Sequence, residues 1–148
     1  MKKYLFIIIA MMLCSISGYA FDKYSIDRND LPETARNFLT EYFPKAKVGM
    51  VKTDKHLLKK TDYDVKLVNG TKIEFNNAGK WTSIDCKTRE VPEGIIPKAI
   101  RTYVKKNFPD VKIVKIEKTS TKYEVGLSDD VELTFNLLGQ FKSMKMDD

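Results

Sequence analysis

Histidine occurs once, tryptophan once and cysteine twice in these 148 residues, and each scarcity closes off a chemistry. A structural zinc site takes four Cys or His ligands, more than the chain holds. Nucleophilic catalysis needs a base beside its nucleophile, and His56 and Cys86 stand in separate segments with unrelated patterns. Seven Gly and five Pro are too few for a collagen-like chain or a flexible linker. There is no Gly-rich phosphate loop and no Ser in a strand-to-helix elbow. Asp62 with Asp64, Asp129 with Asp130, and Asp147 with Asp148 form close acidic pairs, yet no Asp-x-Asp-x-Asp-Gly loop with its distal Glu accompanies them, so solvated turns and strand faces account for them. Aromatics are plentiful: 8 Phe, 7 Tyr and 1 Trp are too many for a chain that stays unfolded, and a packed core is expected.

No apolar run approaches the roughly 20 residues that cross a bilayer as a helix. The longest, residues 4–13, follows Lys2 and Lys3 and precedes Gly18 and Ala20, small residues at positions three and one before a cut. Residues 1–20 therefore read as a secretory signal peptide cleaved after Ala20. Cys14 follows the apolar run as a lipidated cysteine would, but Met11, Met12 and Leu13 lack the small residue such processing wants, which argues against lipidation. Cleavage takes Lys2 and Lys3 from the 26 basic residues, leaving 24 against 20 acidic ones and a net charge of +4. The signs are interspersed, as on a solvated surface, and no basic stripe for nucleic acid stands out. Cys86 is left alone, so no intramolecular disulfide forms. The expectation is a periplasmic or secreted protein with no cofactor, no nucleic-acid partner and no stable membrane insertion after cleavage.

The remaining chain contains itself twice. Leu31-Pro32 and Phe43-Pro44 match Ile96-Pro97 and Phe108-Pro109 at an offset of 65, with Arg36 on Arg101 and Lys47 on Lys112. Further on the offset becomes 60: Tyr63, Val65 and Leu67 match Tyr123, Val125 and Leu127, while Phe75, Asn76, Gly79 and Trp81 match Phe135, Asn136, Gly139 and Phe141. The first copy carries five extra residues within 51–60, where His56 lies.

In copy one, Leu31, Ala35, Phe38, Leu39, Tyr42 and Phe43 form one helical stripe. Asp30 with Glu33 reads as a capping box, Pro32 suits the first turn, and Pro44 stops the helix. Copy two repeats this with Ile96, Ile100, Tyr103, Val104 and Phe108 before Pro109. The period then drops to two. Tyr63, Val65 and Leu67 alternate with polar residues, Asn69-Gly70 supplies the positive φ of a tight hairpin, and Ile73 and Phe75 alternate again. Strands over residues 47–53 and 80–86 complete the first unit, and 112–119, 122–127, 131–136 and 140–146 give the second. The predicted class is α+β: a tandem repeat of one helix plus a four-stranded antiparallel sheet, with both helices on one face of a curved continuous sheet. Residues 21–90 and 91–148 are the two repeats, joined into one compact domain because neither buries enough alone.

The tandem units, the Phe-Pro helix stops and the strands ending at Gly79-Lys80-Trp81 and Gly139-Gln140-Phe141 resemble the small secreted PepSY-like, or β-lactamase-inhibitor-like, proteins of Bacteroides-type bacteria. The resemblance spans about residues 24–146. It implies helices covering one sheet face while the other face is free, an open face that binds a protein in the inhibitor branch, and related modules that restrain proteases in the peptidase-propeptide branch. No residue here maps one for one onto an inhibitory loop.

With catalysis disfavoured, binding is what remains. The exposed sheet face is expected to carry Asp64, Lys66, Lys72, Glu74, Lys122, Glu124, Glu132 and Thr134, and Trp81 joins them as a residue type favoured in binding hot spots. Trp81 shares the odd-numbered positions with Ser83 and Asp85, while its match to Phe141 points to the core, so its face is open. The expected function is an exported, non-enzymatic module that binds a protein or peptide of the cell envelope through this face, restraint of an envelope hydrolase being one form of it. The alternative is small-ligand or cation sensing in the cleft between units. Cys86, near a strand end, is expected to be a partly buried structural thiol.

Overall fold

The structure, a computed structural model, describes residues 22–55 and 62–146; the expected leader with Cys14, the segment holding His56, and the pair Asp147 and Asp148 lie outside the described residues. Nine antiparallel strands form one open sheet in which the spatial order is the chain order. They are β1 (Lys23–Ser25), β2 (Val48–Asp54), β3 (Asp62–Leu67), β4 (Lys72–Phe75), β5 (Trp81–Asp85), β6 (Ile113–Lys118), β7 (Lys122–Leu127), β8 (Val131–Asn136) and β9 (Phe141–Met146). Helix α1 (Glu33–Tyr42) lies between β1 and β2 in the chain, and α2 (Lys98–Asn107) between β5 and β6. Eight strands were expected; the ninth, β1, has three residues, too few to show a period.

The helices bury the stripe their spacing demands, Ala35 and Leu39 in α1, Ile100 and Val104 in α2. Phe38 meets Phe75 edge-on at 5.6 Å between ring centres, and Tyr103 meets Phe135 in the same way at 5.4 Å. Both helices stop at a Phe before Pro: Phe43 and Phe108 leave helical geometry, and their N–H groups donate to Leu39 at 2.9 Å and Val104 at 2.7 Å. The capping box does not form. Pro32 occupies the N-cap position and offers no side-chain cap, which places Asp30 two residues too far upstream. Asp30 instead ends a 3-10 turn and accepts from Lys23 Nζ at 3.1 Å.

The β3–β4 hairpin also differs from the tight two-residue turn. Only Gly70 has positive φ (92°); Asn69 does not, and its Oδ1 accepts from the Thr71 N–H at 2.9 Å. In the β7–β8 turn the corresponding left-handed position is filled by Asp130, at φ 63°. Gly79 and Gly139 bring strand-connecting turns close under the helices: a Cβ would meet Pro32 Cβ at 2.9 Å and Ala99 Cβ at 2.7 Å, so neither position has room for a side chain.

Register fixes what each face holds. On the helix side one row crosses the sheet through Ser25, Val51, Val65, Ile73, Ile84, Ile116, Val125, Leu133 and Met144. Every member from Val51 to Leu133 is buried, within one continuous core that takes in both helices.

Candidate functional site

Among the described residues no helix packs against the opposite face, and the same pairings arrange its side chains in transverse rows. One row runs Lys52, Asp64, Glu74, Ser83, Glu117, Glu124, Thr134 and Ser143. The next, two residues along each strand, runs Met50, Lys66, Lys72, Asp85, Lys115, Gly126, Glu132 and Lys145. Strands lie about 4.8 Å apart and the rows about 7 Å apart, so the six carboxylates and five ammonium groups of the two rows share one surface.

Pairing within these rows sets opposite charges together at Lys52–Asp64, Lys72–Asp85, Asp85–Lys115 and Glu132–Lys145, but elsewhere sets like charge directly against like charge. Asp64 faces Glu74, Lys66 faces Lys72, and Glu117 faces Glu124; at the strand ends Asp54 faces Asp62. Such pairs destabilise a sheet. Relief comes from neighbouring ion pairs: along the strands Lys115 Nζ lies 3.1 Å from Glu117, Lys52 Nζ lies 2.8 Å from Asp54 and Lys122 binds Glu124, while across to the residue before β1 Lys52 Nζ lies 3.3 Å from Asp22. Asp64 and Glu74 are the least compensated. Partial desolvation lifts the Asp64 carboxyl above its usual value, Asp54 adds to the rise, and Lys52 opposes it. Desolvation also lifts Glu74, and the charges of Asp64 and Glu117 push it further. With Asp54, Asp62 and Thr82 these two line a shallow depression of about 330 Å³. Among the described residues no group of three or more His, Cys, Asp or Glu is placed to hold a metal ion.

Asp64, Lys66, Lys72, Glu74, Lys122, Glu124, Glu132 and Thr134 are therefore together on one face. Trp81 is not. It pairs with Phe75, packs half-buried against the core, and lines a helix-side groove with Phe38, Tyr42 and Gly94. A bulge in β5 is the reason: Glu74 pairs with Ser83 and Phe75 with Trp81, so Thr82 is an extra residue and alternation skips a beat. Ser83, Asp85, Lys115 and Glu117 were missed as members of the face. A similar shift at the start of β6 hides their alternation, although the Lys115-x-Glu117 spacing was visible. Cys86 is buried beneath the helices; burial pushes its thiol up and away from the reactive thiolate.

Residues 61–143 match the family described as "Putative beta-lactamase-inhibitor-like, PepSY-like". The chain belongs to this family. Solved structures of similar PepSY-like chains agree over most of its length. A "putative periplasmic protein of unknown function" from Bacteroides vulgatus ATCC 8482 is 40% identical, with a TM-score of 0.80 over 84% of this chain and 99% of its own. A "putative calcium-regulated periplasmic protein" from Bacteroides thetaiotaomicron is 39% identical, with a TM-score of 0.79 over 84% of this chain and 96% of its own. A second periplasmic protein from Bacteroides vulgatus is 39% identical, with a TM-score of 0.79 over 86% of this chain and 99% of its own. Comparison with curated proteins gives no match. Among the described residues no helix is long and apolar enough to cross a membrane.

Proposed function

We propose that this PepSY-like chain is an exported, non-enzymatic module that binds a protein or peptide of the cell envelope through its open sheet face. One observation carries the reading: four like-charge pairs stand directly opposed on that face, beside the four opposite-charge pairs Lys52–Asp64, Lys72–Asp85, Asp85–Lys115 and Glu132–Lys145. A surface kept only for solubility gains nothing from setting like charges against each other, which destabilises a sheet. A partner presenting the complementary pattern would relieve that cost on binding. The leader-like residues 1–20 and the periplasmic relatives support export. The matched helices and hairpins at offsets of 65 and 60 support a duplicated unit as the scaffold, and the inhibitor-like family description favours restraint of an envelope hydrolase.

Capture from envelope extract tests this. A double reversal, Lys72→Glu with Glu74→Lys, is expected to lose the proteins that the wild-type chain retains while melting at a similar temperature. An unchanged set of captured proteins rejects the face.

The relative described as a "putative calcium-regulated periplasmic protein" favours a second reading, cation sensing at the depression of Asp54, Asp62, Asp64 and Glu74, whose carboxylates are not placed to share a metal ion as they stand and would have to close around it. Calcium at a hundred times its Kd would then add about 2.7 kcal/mol of stability, and Asp64→Asn would remove the gain. No thermal shift at millimolar calcium rejects it.

A further inference from the structure

We propose that β9 is a self-pairing edge, through which two copies of this chain join their sheets antiparallel about a two-fold axis at Met144. The helix-side row described above is buried at every position from Val51 to Leu133, and then its last member, Met144, is 55% exposed. Met146, on the same side, is 67% exposed. Tyr103 of α2 stacks on Phe141 at 4.8 Å, so the helix reaches only one end of the strand.

The molecule also shows what covers such a strand. Ile84 in β5 and Cys86 just past its end stand where β9 carries Met144 and Met146, and they are 0% and 3% exposed, with β6 paired along the outer edge of β5. Among the described residues no strand lies beyond β9. Six residues of edge backbone thus stand beside two exposed methionines, with no proline among them; what the strand carries against pairing is Lys142, at a bulge, and Lys145, and the register must accommodate both. The opposite edge, β1, is only three residues long and ends its row in Ser25.

Self-complementarity selects a second copy over an unrelated strand. A two-fold at Met144 sets Met144 against Met144 of the second copy and keeps both pairs of helices on one side. On the open face it sets Lys145 against Ser143, so no lysine faces a lysine. The pairing is antiparallel, as in all eight pairings within the chain. An isologous contact closes at two copies and leaves no further β9 edge. The open face stays uncovered, so this inference stands whether or not the partner reading holds.

Sedimentation velocity of the purified protein up to about 1 mM tests it. A monomer–dimer equilibrium is expected, weakened at least about tenfold by Met144→Lys, with no change in the melting temperature of the dilute, monomeric protein because the side chain is already exposed. Oxidation gives the register: paired Cα atoms lie about 4.5–5.5 Å apart, so Met144→Cys is expected to form a covalent dimer while Ser25→Cys does not. A chain that stays monomeric at about 1 mM, a dimer indifferent to Met144→Lys, cross-linking at position 25 as fast as at 144, or growth into polymers would each overturn the proposal.

Discussion

Glu74 shows at the level of one side chain how a face can carry a stability cost. Its carboxyl is held above its usual 4.5 by desolvation and by the charges of Asp64 and Glu117. A carboxyl lifted in this way holds its proton more tightly in the folded state than in the unfolded one. Stability therefore rises as pH falls through the window above 4.5, and falls again as the group ionises. Glu74→Gln is expected to raise the melting temperature at about pH 7 and to lose that advantage near about pH 4, where the wild-type group is protonated in both states. Thermal melts across this range check it; a constant difference would point to packing instead of charge. Asp130 is the second case. It holds φ 63° in a turn whose counterpart uses Gly70, and there any Cβ crowds the following carbonyl oxygen. Asp130→Gly is expected to stabilise by about 0.5–1 kcal/mol, read from a shift in the urea midpoint at unchanged slope.

At the scale of elements, the helices are held by aromatic contacts more than by caps. Phe38 touches Tyr42 at 4.9 Å, Phe43 at 6.3 Å and Phe75 at 5.6 Å, and α1 has no side-chain cap to share the load. Phe38→Ala is expected to cost about 3–5 kcal/mol, measurable by denaturant unfolding; a cost below about 1 kcal/mol would remove the helix-face assignment. The helices, β7 and β8 were legible in the sequence because each has a single uninterrupted period and a clear stop, as at Phe43-Pro44. β1 was not, since three residues carry no period. The face of Trp81 stayed open because counting by twos fails across a bulge, and nothing in the run Trp81-Thr82-Ser83-Ile84 marks Thr82 as the extra residue. The individual charges of the open face were readable from alternation in β3, β4 and β7. Their opposition was not, because which residue faces which depends on pairings between strands up to 34 positions apart, such as Ser83 with Glu117.

The whole molecule has one core. Residues of both helices and of β2 to β8 belong to a single buried cluster, and Ile84 of β5 lies directly against Ile116 of β6 in its middle. Cutting between β5 and β6 would expose that centre to water, so neither half is expected to stand alone. Calorimetry is expected to give one transition whose measured enthalpy matches the van't Hoff value; two resolved transitions would show separate units.

Strand order that repeats chain order has a kinetic meaning as well. Each new strand finds its neighbour already laid down by the strand before it, so every contact in the sheet waits only for the next strand in the chain, 34 positions away at most across a helix and far fewer within the hairpins. Loop-closure penalties stay small and contact order stays low for an all-antiparallel sheet of this width. A chain delivered from its N-terminus through a narrow exit can therefore zip up strand by strand, its growing edge always being the strand that emerged last, until β9 is left holding the open end.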